Sequence, residues 1–368
     1  MSYTGEVVYV YAFDVAFDMV REPVRQLLGQ PVAQFAVDAG KRSPRQLSFY
    51  RPQMVRLPPR KRASPLGPLW VERTIKLLPI GAISITVRVP FTVGRLSELV
   101  TFHDLRFEDG ALHEEVKELA EAVRHELSSF YIRPHAQLVE EEAYTVFCFD
   151  TSFRAAGGAT LSAEQWLARQ RREVASLLTQ EPDLARLSEQ EVDESIGRWL
   201  SYYDGDLVVI DWDAALIVDD PRCFEETLYI VELANLQLAE LEAYDRLLDD
   251  ALERAYRDLR EPNLRRRRDV LRELREFRID LARFSDELSN ITKFFGDWHL
   301  ARIYQALSAR FHLPDWHRTI DGKLQTLDEL YQLLKTDQTN HWMLILEITV
   351  VVLFVIDLIL LVLEISSR

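Results

Sequence analysis

The sequence predicts an α+β fold in three parts: an N-terminal mixed or antiparallel sheet with helices, a long antiparallel helical hairpin of coiled-coil character, and a C-terminal transmembrane helix. Runs rich in Val, Tyr and Phe alternate with helical patterns up to residue 220. Heptad spacing of apolar residues then extends from 222 to 295, and residues 342–365 form one apolar run. The predicted domains are 1–220, 221–341 and 342–365.

Strands and helices alternate in the first predicted domain. Residues 6–17 mix β-branched and aromatic side chains and predict a strand, and apolar spacing predicts a helix over 114–132. Ser162 and Ser188 each stand three residues before a Gln or Glu, so each can cap the helix that follows it. The other expectations are strands over 46–57, 70–91, 144–149 and 207–220, a loop over 58–68 and a short helix over 94–104.

The second predicted domain is helical. A helix is expected over 222–259, and Pro262 with its neighbouring Asn breaks the pattern before a second helix over 264–295. The short break predicts that these two helices pack antiparallel over roughly 50 Å. A short helix over 298–311 follows, and a last helix begins at Pro314 and continues into the apolar run.

The apolar run 342–365 is long enough to cross a bilayer, because about 24 helical residues span about 36 Å and the hydrocarbon core is about 30 Å thick. It carries Glu347, Asp357 and Glu364. Asp357 lies past the midpoint, where a carboxylate costs about 2.5–3.5 kcal/mol. We expect it to fix a helix–helix contact in an oligomer; a proton or ion path and local thinning of the bilayer are the alternatives.

Composition excludes some partners and compartments. The chain has 368 residues and a net charge of -15, so its overall field does not attract DNA, RNA or anionic lipid. Cys148 and Cys223 lack metal-ligand spacing and fit a reducing compartment. The first 30 residues contain acids and no apolar core, so we expect no signal peptide and a body on the cytoplasmic side of a membrane.

One basic cluster stands out in this acidic chain. Arg265, Arg266, Arg267 and Arg268 follow the break at Pro262. Glutamates interleave with the arginines further along, which favours a solvated, ion-paired helix face. Contact with a protein or ribonucleoprotein partner is the functional alternative.

Catalytic motifs are absent from the sequence: it has no Gly-rich phosphate loop, nucleophile elbow, HExxH or CxxC. Asp211 and Asp213 are two apart in a predicted strand, so they share a face and could hold a divalent ion. Acids in turns and on exposed faces are the more common arrangement. We therefore expect no catalytic residue, no metal and no cofactor.

The region from Leu207 to the C-terminus resembles the family named for the yeast factor required for meiotic nuclear division, a conserved domain of unknown function. The residues that carry the resemblance are the helix from Glu225 to Asp249, the Leu-rich segment from Lys323 to Leu334, and Glu347 with Asp357 ten residues later. The resemblance covers about 160 residues and implies a membrane-anchored oligomer without a catalytic centre.

These observations favour a non-enzymatic, tail-anchored scaffold or tether that self-associates through its hairpin and anchor. One alternative is an ion channel or transporter subunit of CorA-like architecture with Asp357 on its path, although the sequence has a single apolar span and no Gly-Met-Asn tripeptide. The other alternative is a divalent-metal enzyme that uses Asp211 and Asp213.

Overall fold

The computed structural model describes residues 2–20, 22–35, 52–135, 141–150, 153, 160–260, 279 and 298–366. The chain divides into two compact units. The first contains residues 1–243 and 284–317, and the second contains residues 244–283 and 318–368.

Fifteen strands are found in the described part of the first unit. They are β1 Tyr3–Asp14, β2 Ala16–Met19, β3 Gln26–Leu27, β4 Gln30–Pro31, β5 Ala33–Gln34, β6 Gln53–Ser64, β7 Gly67–Leu78, β8 Ala82–Val93, β9 Arg106–Phe107, β10 Gly110–Ala111, β11 Tyr131–Pro134, β12 Glu142–Phe149, β13 Trp199–Leu200, β14 Leu207–Ile210 and β15 Ala214–Val218. Nine of them form one sheet in the order β13-β14-β15-β12-β1-β8-β7-β6-β5. Neighbours are antiparallel except the pair β12 and β15, so the predicted α+β architecture with a large N-terminal sheet is present.

The two longest of the described α-helices lie in the C-terminal part of the chain. They are α1 Leu112–Glu126, α2 Ala163–Leu178, α3 Glu189–Ile196, α4 Phe224–Arg260, α5 Trp298–Arg310 and α6 Leu313–Ser366. Ser162 and Ser188 cap α2 and α3 as expected: each hydroxyl accepts a hydrogen bond from the backbone N–H three residues on. The helix predicted over 264–295, and with it the closed hairpin, lies outside the described residues except for Ile279, which is helical.

Strand β1 is buried on both faces and organises the core of the first unit. Val7, Tyr9 and Phe13 point to one face, where they join a cluster that includes side chains of α1 and α2. Ala12 points to the other face and packs with Leu236 of α4. Because successive strand residues alternate between faces, a continuous apolar strand is what a helix-covered sheet requires.

The segment expected as a loop over 58–68 instead forms the hairpin of β6 and β7. Pro58 and Pro59 fit there because the β6–β7 register shifts between Leu57 and Arg60. Among the described residues, the strand that pairs with the other side of β6 is β5, at Gln53 and Met54, and this pairing does not reach the prolines.

The structure corrects the transmembrane helix predicted over 342–365. Within the part of the chain that the structure describes, no helix is both long and apolar enough to cross a membrane. The predicted tail anchor and the single-pass membrane location depended on that span and are corrected with it.

In the second unit, the C-terminal part of α4 packs against α6. Leu248 of α4 and Leu327 of α6 are buried. Lys323 of α6 forms ion pairs with Asp245 and Asp249 of α4, each with an N–O distance of 2.6 Å. Apolar spacing and these ion pairs therefore hold two helices together in this unit.

Candidate functional site

The acidic and basic residues singled out in the sequence are not assembled into one site in the described structure. Arg265, Arg266, Arg267 and Arg268 lie outside the described residues, as does the side chain of Glu364. Glu347 and Asp357 lie on α6, and both side chains are exposed.

Asp211 follows β14 and is engaged in a structural ion pair. Its carboxylate pairs with the guanidinium of Arg310 on α5 and accepts a hydrogen bond from the backbone N–H of Trp212 at 2.7 Å. Arg310 also contacts Glu194 of α3 at 2.8 Å. Burial would lower the pKa of Arg310, but its hydrogen bonds to the two carboxylates outweigh burial and raise it.

Asp213 stands apart from this ion pair. Partial burial, followed by the nearby charge of Asp211, raises the pKa of Asp213. Among the described residues, no group of three or more His, Cys, Asp or Glu side chains is arranged to hold a metal ion. The ion pair between Asp211 and Arg310 therefore connects the end of β14 to α5.

The basic residues at 60–62 lie in β6 and not in a loop. Arg62 pairs with Asp109 and with Glu115, and Arg73 of β7 pairs with the same Glu115 at 2.8 Å. A groove of about 430 Å³ beside them is lined by arginines and carboxylates together. The positive and negative side chains that line this groove therefore largely neutralise one another.

A cavity of about 490 Å³ lies where the β14–β15 pair, the first turn of α4 and the first turn of α5 meet. Val208 and Val218 of the two strands form part of its wall, and Cys223 lies beside them. Its other polar and aromatic lining residues are Tyr202, Tyr203, Asp206, Asp219, Glu226, Thr227 and His299. The volume is within the usual range for a small-molecule site.

Two exposed tyrosines at this cavity are held by a buried carboxylate. Asp206 is 4 % exposed and accepts hydrogen bonds from the backbone N–H groups of Tyr202 at 2.7 Å and Tyr203 at 3.1 Å. The two rings stand nearly perpendicular, with centroids 4.7 Å apart. The ring of Tyr202 also lies 5.4 Å from that of His299. The cavity rim therefore has a fixed aromatic arrangement.

Helix α6 has an extended apolar surface. Thirteen large apolar side chains between Met343 and Ile359 are 41–70 % exposed in the described structure. Together they present on the order of 1,000 Å² of apolar area, above the few hundred Å² of the largest patch on most soluble monomers. Apolar surfaces of this size are typical of sites that contact another protein or a membrane.

The comparisons with known proteins concern the N-terminal part of the chain. Residues 4–225 match the family described as "Uncharacterized protein MJ0711, N-terminal domain". The chain belongs to this family. A member, "Uncharacterized protein MJ0711" of Methanocaldococcus jannaschii, is 23 % identical over 220 residues, which are 60 % of this chain and 65 % of that protein. No solved structure matches the chain.

Membership in the MJ0711 N-terminal family corrects the resemblance drawn from the sequence. The matched region ends at residue 225, whereas the resemblance to the meiotic nuclear division family was placed on the C-terminal 160 residues. Regular leucine spacing is shared by many helices that pack against a neighbour, so it indicated packing and not kinship. The matched region contains the nine-stranded sheet except for Tyr3, the first residue of β1.

The cavity was missed in the sequence because its lining comes from distant segments. Val208, Cys223 and His299 show no common spacing. The available signal was local: Tyr202 and Tyr203 stand next to a short turn that contains Gly205. Adjacent aromatic residues beside a tight turn are prone to solvent exposure, and both tyrosines are exposed in the structure.

Proposed function

We propose that the protein is a non-catalytic scaffold that self-associates through the exposed apolar surface of α6. The observation that supports this is the run of exposed apolar side chains from Met343 to Ile359. Self-association would gather several copies of the family domain around one helical bundle. The proposed occupant of the surface is a second copy of the same chain.

The area of the surface supports an interface between copies. If two chains each bury one side of this helix, the pair removes on the order of 1,000 Å² from water, which is near the lower bound for a specific interface. Apolar burial contributes about 25 cal/mol per Å². The favourable free energy from this burial therefore exceeds the entropic cost of association by only a modest margin when two helices meet. Additional helices around the same surface would increase that margin.

The distribution of the apolar residues favours more than two copies. Val350, Val351, Val352 and Leu353 are consecutive and all exposed. Consecutive helical residues are about 100° apart, so these four cover the whole circumference. One neighbour covers one side only, and a helix that is apolar all round is normally enclosed by several neighbours.

Full-length protein in detergent-free buffer tests the proposal by light scattering after size exclusion. Leu353→Arg places a charge on a side chain that is 60 % exposed, and it should shift the assembly towards the 42.8 kDa monomer. Leu66→Arg is the matched control, because Leu66 is also exposed but lies at the turn between β6 and β7. The control should leave the mass of the assembly unchanged.

Two outcomes would overturn the proposal. One is an assembly whose mass is the same for Leu353→Arg and for the unmodified chain. The other is a wild-type monomer, including a monomer that floats with phosphatidylcholine vesicles, because lipid and not a second copy would then cover the helix.

Replacement of Asp357 by Leu gives an independent check: it removes a charge from the interface and should strengthen the assembly.

A further inference from the structure

We infer that the β6–β7 hairpin binds single-stranded nucleic acid, with a base stacked on the indole ring of Trp70 and phosphates held by Arg56 and Lys61. This inference goes beyond the proposed scaffold and does not depend on self-association. Two observations support it: an exposed tryptophan on a projecting hairpin, and a stretch of this acidic chain that contains no acid. Aromatic faces beside a positive surface are what single strands bind.

The charge of the chain is reversed around this hairpin. Residues 39–71 contain eight Lys and Arg and no Asp or Glu, whereas the whole chain has a net charge of -15. The structure describes this stretch from residue 52 onward. Exposed charges further away than about 8–10 Å are largely screened at physiological salt, so a ligand at the hairpin responds mainly to the charges beside it. The overall field of the protein therefore does not exclude a polyanion here.

Two of the described cations in this stretch are available to a ligand. Arg62 is engaged by two carboxylates, and Arg60 lines the groove whose positive and negative side chains balance. Arg56 and Lys61 are exposed, and neither forms an ion pair with another described residue. These two side chains are therefore the ones that we assign to phosphate groups.

Both cations lie on the same face of the hairpin as Trp70. The strand register places Lys61 directly opposite Trp70 and Arg56 opposite Thr74, and strand residues four apart point to one face. The two cations are therefore about 13 Å apart along the strands. Lys76 lies on this face too, where α4 covers it, but Trp70 is beyond the helix and is 53 % exposed.

The acids on this face lie on the side of β8 and not on the side of β6. Glu72 is the only acid in β6 and β7, and the register places it opposite Arg88 of β8. Arg88 in turn pairs with Glu6 and Glu225. The phosphates of a bound strand should therefore follow β6, with a base turned towards Trp70.

The part of the hairpin that carries Trp70 is held in place by hydrogen bonds. Pairing between β6 and β7 continues to Ser64 and Gly67, whereas the pairing of β7 with β8 ends at Glu72, so residues 60–71 project beyond it. At the turn, the Ser64 hydroxyl donates to the carbonyl of Gly67 at 2.7 Å and accepts from the N–H of Leu66 at 3.2 Å. An aromatic face that is already positioned loses little entropy when a base stacks on it.

The test is fluorescence anisotropy of labelled oligomers of about 12 uridines or thymidines with the full-length protein. We expect a Kd of about 1–10 µM in about 50 mM salt. A sugar-phosphate backbone of the same length without bases should bind about tenfold more weakly, because it offers nothing to stack on Trp70. A duplex of the same length should also bind more weakly, because its bases are already stacked.

Substitutions in the hairpin separate stacking from charge. Trp70→Ala should weaken binding of the oligomers about tenfold, whereas Trp70→Phe, which keeps an aromatic face, should stay within about threefold. Lys61→Gln and Arg56→Gln should each reduce the slope of log K against log salt by about 0.7, because each removes one phosphate contact to a single strand.

Trp212→Ala and Arg169→Gln are the matched controls. Trp212 is 49 % exposed at the turn between β14 and β15, and Arg169 is exposed on α2, so each removes a side chain of the same kind away from the hairpin. Both variants should bind the oligomers like the unmodified protein.

The inference is overturned if neither oligomer binds at up to about 100 µM protein, or if the backbone without bases binds as tightly as the oligomers. Unchanged binding by Trp70→Ala would also overturn it. Equally effective displacement by polyglutamate would overturn it as well, because the partner would then be an acidic protein. The comparison with the backbone that lacks bases needs no variant, so it stands even if a variant fails to fold.

Discussion

Lys76 of β7 and Glu232 of α4 form an ion pair that is almost completely buried between the sheet and the helix. Lys76 is 7 % exposed and Glu232 is 5 % exposed. Ser84 of β8 donates a hydrogen bond to the same carboxylate, and the ammonium of Lys76 lies 4.1 Å from the ring centroid of Phe35. The pair connects the outer half of the sheet to the long helix.

Replacing one partner of this ion pair should destabilise the fold more than replacing both partners. Glu232→Leu leaves the Lys76 ammonium buried without its carboxylate and should lower the free energy of unfolding by about 3 kcal/mol or more. The double variant Lys76→Met with Glu232→Leu leaves no unpaired charge and should recover most of that loss. Urea unfolding measures both. The account would be contradicted if the double variant lost as much free energy of unfolding as Glu232→Leu and Lys76→Met lose in total when each is made alone.

Arg310 and Arg222 offer a matched test of burial. Arg310→Met should lower the free energy of unfolding by about 3 kcal/mol, because it leaves the carboxylate of Asp211 buried without its cation. Arg222→Met removes a pair with Asp220 at the surface and should have no measurable effect, because water screens that pair. Equal effects of the two substitutions in thermal unfolding would contradict this account, because the buried ion pair would then contribute no more to stability than the exposed one.

Alanine substitutions at Gly81 and Gly67 distinguish the cost of backbone strain from the cost of a steric clash. Both have positive φ, at +87° and +102°, but a Cβ at Gly81 would lie 1.9 Å from the carbonyl oxygen of Ala16, whereas a Cβ at Gly67 meets nothing within 4 Å. Gly67→Ala should therefore cost about 1 kcal/mol from backbone strain, and Gly81→Ala should cost at least about 2 kcal/mol more. Chemical unfolding of both variants checks the difference; similar losses would contradict it.

The raised pKa of Asp213 predicts the direction of a pH effect. A carboxyl group with a higher pKa in the folded state binds its proton more tightly there, so the stability linked to it is greatest below its ordinary value of 3.8 and decreases as the pH rises through the folded-state pKa. Asp213→Asn should therefore be more stable than the unmodified protein at pH 7, and the difference should vanish below about pH 4. Thermal unfolding across this range measures it, and a variant less stable at pH 7 would contradict the assignment.

Local sequence signals predicted local structure well. The Val and aromatic residues over 6–17 predicted a strand that the structure has as β1, and the hydroxyls of Ser162 and Ser188 cap the helices expected after them. These signals succeed because their physical causes lie within a few residues. The same is true of α4, expected over 222–259 and observed over 224–260.

Long-range features could not be predicted in this way. The sequence left a divalent ion at Asp211 open as an alternative, because its ion-pair partner Arg310 is 99 residues away in the sequence. Pro58 and Pro59 suggested a loop, and the sheet order shows instead that they lie in β6, beyond the two residues that pair with β5 in the described part of the chain. The cavity combines strand, loop and helix segments that no spacing connects.

The measurement that tests the central claim most directly is sedimentation of the full-length protein in detergent-free buffer, from about 1 to 50 µM. Self-association through α6 predicts a species whose mass is a multiple of 42.8 kDa and whose population increases with concentration. A single 42.8 kDa species throughout that range would contradict the claim.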